Sequence, residues 1–238
     1  MKSICILICK LSTGRFSRSS LISLFLLLVI LPLSGQKTIS LRNPSFEGIP
    51  KMGDTPSGWK NCGFPGETPP DIQPCGAFGV TTSASDGDTY LGMVTRDNDT
   101  WEKAGARLSS DMEAGMVYEF SIRLCRSDRY ESASRLTHEP ADYITPIVLR
   151  IFGGNKYCDK AQLLGISPPV EHTEWGTYRF TLSPTENYSH ILLEAYYADR
   201  LGDAYRGNIL LDQASDLVPL GPSASIESAS MKGERVPE

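Results

Sequence analysis

No apolar run in this 238-residue chain is long enough to cross a bilayer as a helix. The longest, Leu21 to Leu33 (LISLFLLLVILPL), falls well short of the roughly 20 residues a span requires. The chain has no CxxC pair and no His close to a Cys, which argues against a zinc site. HExxH and GxSxG are missing, so a zinc protease and a serine-hydrolase elbow are not indicated. The three histidines, His138, His172 and His190, are scattered. Nothing between Gln36 and Pro219 repeats with the period of a long amphipathic helix, which excludes a doubly wound α/β fold with its crossover helices. Basic residues are in deficit, 23 against 28 acidic. That argues against nucleic acid as a partner and suits cations or neutral ligands.

What is present begins with a leader. Lys2, Lys10, Arg15 and Arg18 precede the apolar run, and Ser34-Gly35-Gln36 follows it. This is the order of a secretory signal peptide, read here as residues 1–35, with an uncleaved membrane anchor as the competing reading. Beyond residue 35 the balance is 19 basic against 28 acidic residues, a net charge of −9. The implied setting is exported: periplasm, outer-membrane-associated or extracellular, with no integral span after cleavage. Cys62, Cys75, Cys125 and Cys158 remain in the exported part, and four cysteines there suggest one or two disulfides with three possible full pairings. A Cys62–Cys75 bridge is expected, because it closes a short loop rich in Gly and Pro.

Strand-period alternation recurs along the rest. Tyr118, Phe120, Ile122 and Leu124 share one side of a strand while Glu119, Ser121 and Arg123 take the other. Thr89–Thr95, Ile147–Phe152, Thr177–Leu182, Ile191–Tyr197 and Asn208–Asp212 read the same way. Asp159–Gly165 is expected to hold one helical turn at most. The fold class is all-β, a two-sheet sandwich or jelly roll over residues 36–219. Residues 220–238, polar and serine-rich, read as a disordered tail.

An ordered series of short motifs adds to this. Asn43-Pro44-Ser45-Phe46-Glu47-Gly48, Pro56-Ser57-Gly58-Trp59 and Asp86-Gly87-Asp88-Thr89-Tyr90-Leu91-Gly92 come first. Glu113-Ala114-Gly115, Trp175-x-x-Tyr178-x-Phe180 and Asn208-Ile209-Leu210-Leu211-Asp212 follow. The series, over residues 41–217, resembles the galactose-binding-like jelly roll of many carbohydrate-binding modules. The segments from Cys62 to Pro74, Arg96 to Glu102 and Gly153 to Asn155 are similar to the N-terminal domain of exported Bacteroidetes proteins that carry an OmpA-like domain. In such jelly rolls the first and last strands lie side by side, and a structural Ca²⁺ commonly ties them to a loop between. The resemblance therefore implies Ca²⁺ held by Glu47, Asp88, the Thr89 carbonyl and Asp212, a cation being the cheap way to neutralise three converging carboxylates.

A sugar-binding face needs aromatic rings for C–H stacking and planar polar groups for hydroxyls. Trp101 and Tyr196 supply rings; Arg96, Asp99, Arg123, Arg150 and Glu194 supply polar groups. Trp59 and Trp175 read first as core. The expected function is non-catalytic binding of a glycan or polysaccharide by an envelope or secreted protein. The alternative is a protein-interaction or envelope-assembly module without sugar affinity, with envelope proteins as partners.

Overall fold

The computed structural model describes residues 37–198, 202–225 and 230–237. The expected leader lies outside them. In chain order the strands are β1 (Trp59–Asn61), β2 (Asp71–Gln73), β3 (Tyr90–Thr95), β4 (Lys103–Met112), β5 (Met116–Cys125), β6 (Glu131–Ala133), β7 (Pro140–Asp142), β8 (Ile147–Gly154), β9 (Gln162–Ile166), β10 (Gly176–Leu182), β11 (Tyr188–Tyr197), β12 (Gly207–Asp212), β13 (Val218–Pro222) and β14 (Glu234–Arg235). One sheet runs β1-β4-β11-β8-β9; the other runs β14-β10-β5-β12-β3-β2, with β13 alongside β5. All these pairings are antiparallel. Between β3 and β5, and again between β9 and β12, the chain changes sheet at every strand, the habit of a jelly roll.

The alternation read from sequence is the one that builds the core. Tyr118, Phe120, Ile122 and Leu124 of β5 are buried and meet Phe180 and Leu182 of β10, Leu149 and Ile151 of β8 and Leu193 of β11 between the sheets. Each such side chain removed from water contributes on the order of 1.5–3 kcal/mol. Trp59 is core as well, packed 4.8 Å from Phe46. The first and last segments of the sandwich are neighbours. Ile39 N–H donates to Leu217 O at 3.0 Å, and Ala214 N–H to Pro44 O at 2.9 Å.

Several expectations need correction or completion. The bridge joins Cys62 to Cys158, and Cys75 and Cys125 are free thiols. Asp159–Gly165, expected to hold one helical turn at most, holds none and leads into the edge strand β9, Gln162–Ile166, which is not among the strands expected. Lys103–Met112, absent from the strands expected above, is one of the longest, with Ala104, Ala106 and Leu108 facing the core. The tail is not structureless over its described part. β13 pairs with β5, and β14 extends the sheet edge beside β10, with Gly233 N–H donating to Ile166 O at 2.7 Å. Among the described residues no helix is long and apolar enough to cross a membrane.

Candidate functional site

The five-stranded sheet has an outer face, set by strand alternation. Register places Lys103, Glu194 and Arg150 in one row across β4, β11 and β8. The next row reads Lys60, Gly105, Leu192, Phe152 and Leu163. Glu194 sits on the central strand, and its side chain is fully buried. Arg150 forks onto one carboxylate oxygen through Nε, at 2.7 Å, and Nη2. Lys160 Nζ donates to the other at 2.7 Å. A buried carboxylate is tolerable only with such charge-assisted partners.

Rings wall this row. The Arg150 guanidinium stacks on Tyr196, 3.2 Å from its centroid. Trp101 meets Tyr196 edge-on at 4.9 Å and Phe64 edge-on at 4.9 Å. Lys103 Nζ lies 4.4 Å over the Phe64 ring, and Lys160 Nζ 4.4 Å over Phe152. Burial lowers the Lys103 pKa; Glu194 pulls it up, and Lys160 and Arg150 push it down.

The Cys62–Cys158 bridge crosses the same face. A Cβ on Gly105 would lie 3.1 Å from Cys62 Sγ, so β4 carries glycine where the bridge passes. The bridge also carries the β8–β9 connection, and with it Lys160, over the sheet.

Of the expected ligand residues, the fold brings together Trp101, Tyr196, Arg150 and Glu194. It does not bring Arg96 or Arg123 to them. Arg96 is buried at the end of β3, paired with Glu102 and lying 3.5 Å from Glu67, and it donates to Thr68 Oγ1 at 2.8 Å. Burial pushes the Glu102 carboxyl well up, against the pull of Arg96. This is a buried ion network beside a small hollow of about 30 Å³ lined also by Asp71 and Tyr130, where Arg96 Nη1 has no hydrogen-bond partner. Arg123 belongs to β5 in the other sheet and donates to Trp175 O at 3.0 Å. Asp99 is an exposed turn residue at φ 60°, before Trp101 in the connection from β3 to β4. Sequence reading passed over Phe64, Lys103, Phe152 and Lys160. For Phe152 the signal was available, because period two puts it beside Arg150.

The residues expected at a metal gather around the loop Ser85–Thr89. Asp212 Oδ2 accepts from Ser85 N–H at 2.7 Å and Asp86 N–H at 2.9 Å, and its Oδ1 accepts from Gln213 N–H at 2.7 Å. Glu47 Oε1 accepts from Asp88 N–H at 3.1 Å, and Thr89 Oγ1 donates to Glu47 Oε2 at 3.3 Å. Gly87 takes φ 63°, and a Cβ there would collide with the Glu47 carboxylate. Asp88 joins through its backbone and is exposed. The two carboxylates thus grip one loop through N–H and O–H donors, and a cation would have to displace those hydrogen bonds. The fit to Ca²⁺ is therefore partial. Among the described residues no three His, Cys, Asp or Glu side chains gather as metal ligands.

No family model and no curated protein matches the chain. Solved structures match it in part. An arabinose-bound MgGH51 α-L-arabinofuranosidase is 12% identical with a TM-score of 0.48, over 76% of this chain and 26% of that one. The chain thus spans about a quarter of that protein's length. A family 16 carbohydrate binding module-2 is 13% identical with a TM-score of 0.41, over 74% of this chain and 96% of that one. The CBM22-1 xylan-binding domain from Paenibacillus barcinonensis Xyn10C is 16% identical with a TM-score of 0.41, over 78% and 96% respectively.

Proposed function

We propose that this chain is a non-catalytic glycan-binding module, exported, whose ligand lies on the outer face of the five-stranded sheet at Trp101, Arg150, Glu194 and Tyr196. The observation that carries the proposal is the Lys103–Glu194–Arg150 row with Trp101 and Tyr196 beside it. Sugar rings pair apolar C–H faces with hydroxyls, so a site for them sets an aromatic ring next to fixed, planar hydrogen-bonding groups. Arg150 is fixed three ways, by the fork to Glu194, by the Tyr196 ring and by Phe152 at 5.4 Å. Groups held this way lose little entropy on binding. The Cys62–Cys158 bridge is consistent with an oxidising, extracytoplasmic setting.

The test is affinity electrophoresis of the protein through gels containing single polysaccharides. Retardation by at least one, reduced by about tenfold or more in affinity in Trp101→Ala, supports the proposal. A melting temperature close to wild type must accompany that loss, since Trp101 also packs on Phe64. Retardation by none of a broad panel removes the proposal, and release of reducing ends during the run removes the word non-catalytic.

A structural Ca²⁺ at Glu47, Asp88, Thr89 and Asp212 is proposed separately. Its support is that Glu47 and Asp212 face the same loop from two sides. EGTA then lowers the melting temperature of wild type and leaves Glu47→Ala unmoved. An unchanged wild-type melt means the N–H donors alone hold the loop.

A further inference from the structure

We infer that the polymer recognised by this face is an acidic polysaccharide, one bearing uronate carboxylates, a reading that rests on the glycan-binding proposal above. Three cations, Lys103, Arg150 and Lys160, surround a single carboxylate, Glu194. Glu194 is wholly enclosed by its partners, so its charge is spent inward. Lys103 spends its ammonium on the faces of Phe64 and Trp101, at 4.4 and 5.8 Å. Burial disfavours its charge most; Glu194 favours it, and Lys160 and Arg150 disfavour it. An incoming anion relieves that repulsion; an incoming neutral hydroxyl does not.

The excess continues along the sheet. Lys60, in the next row, sits 4.2 Å over the Tyr157 ring. Beyond Tyr157 a hollow of about 320 Å³ is lined by Arg42 and Arg107, with Ser40, Ser109 and Gly58, and by no carboxylate. A track of cations thus runs from β8 past the bridge to β4, with Asp111 and Asp159 beside it where His190 packs on Tyr157. Rings along the track fit a polymer of pyranose units with periodic carboxylates.

The experiment compares polygalacturonate with the same polymer after carboxyl reduction, with neutral xylan and with poly-glutamate, by affinity electrophoresis or calorimetry in 0.15 M salt. Expected is binding to polygalacturonate at least about tenfold tighter than to its reduced form. Lys103→Gln and Lys160→Gln each weaken polygalacturonate binding by about fivefold, a larger loss than either causes with the reduced form. Arg179→Gln, an equal charge change on the exposed face of β10, changes nothing. Equal affinity for the carboxylated and reduced polymers overturns the acidic preference and leaves glycan binding standing. Poly-glutamate binding as tightly as polygalacturonate overturns both, because charge alone would suffice. Binding to none of the four, nor to any polysaccharide of the wider panel, overturns both as well.

Discussion

Single buried carboxylates do two kinds of work in this protein, and Asp212 is the first case. Its carboxylate is buried under the sandwich end and accepts three backbone N–H groups. Burial raises its pKa to about 6 and outweighs the three donors, which pull the other way. An acid raised in the folded state favours the fold when protonated, so its contribution is full below the unfolded value near 4 and lost as pH rises through 6. Thermal melts of wild type and Asp212→Asn from pH 4 to pH 7, in EGTA so that no cation holds the carboxylate, check this. The stability of wild type relative to the variant should fall by on the order of 2 kcal/mol across that window. A difference that grows with pH would mean the N–H donors dominate. Glu194 is the second case. Replaced by Ala, it leaves the half-buried Arg150 and Lys160 without their carboxylate; both can partly rehydrate, so the loss is about 2–3 kcal/mol, read from chemical denaturation. Both positions were legible as polar residues with a purpose. Their partners were not, because backbone N–H groups of a distant loop and a lysine from another connection leave no trace in local spacing.

Elements with large apolar side chains announced themselves in the sequence; elements with small ones did not. β5 alternates Tyr, Phe, Ile and Leu with polar residues, and period two is plain. β4 alternates equally well, but its inward residues include Ala104 and Ala106, which score little on any hydrophobic reading. β9 is short, and an edge strand with Gly165 as its last residue but one gives a weak signal. The bridge was misassigned for a related reason. Cys62 and Cys75 are near in sequence, but Cys62 continues from β1 at one edge while Cys158 rides the β8–β9 connection across the sheet. Sheet order sets β4 and β11 between β1 and β8, and only the course of the β8–β9 connection back over β4 makes the two cysteines neighbours. The corrected pairing closes a loop of 96 residues, for which the chain-entropy account gives roughly 4–5 kcal/mol. Cys158→Ser should therefore lower the melting temperature and free the segment that carries Lys160, weakening any ligand bound at Glu194. Cys75→Ser should do neither, and a large effect there would mean that the thiol has a partner of its own.

At the scale of the whole molecule two electrostatic fields of opposite sign compete. Residues 36–238 carry a net −9, while the outer face of the five-stranded sheet is basic along the track from Arg150 to Arg107. Which field a charged polymer senses depends on screening. At 0.01 M salt the Debye length is about 30 Å, so an approaching polyanion meets the acidic molecule as a unit. At 0.15 M it is about 8 Å, and only charges close to the contact count. Near 1 M it is about 3 Å, and the track itself is screened. Affinity for an acidic polysaccharide should therefore pass through a maximum near physiological salt and fall on both sides. Its decline at low salt should vanish in a variant whose remote acids, such as Glu113 and Glu186 away from the track, are made neutral. Affinity electrophoresis across that range measures the curve. A monotonic rise toward low salt would mean that the local cations govern the approach at every distance, and a flat curve would mean that the recognised groups are uncharged.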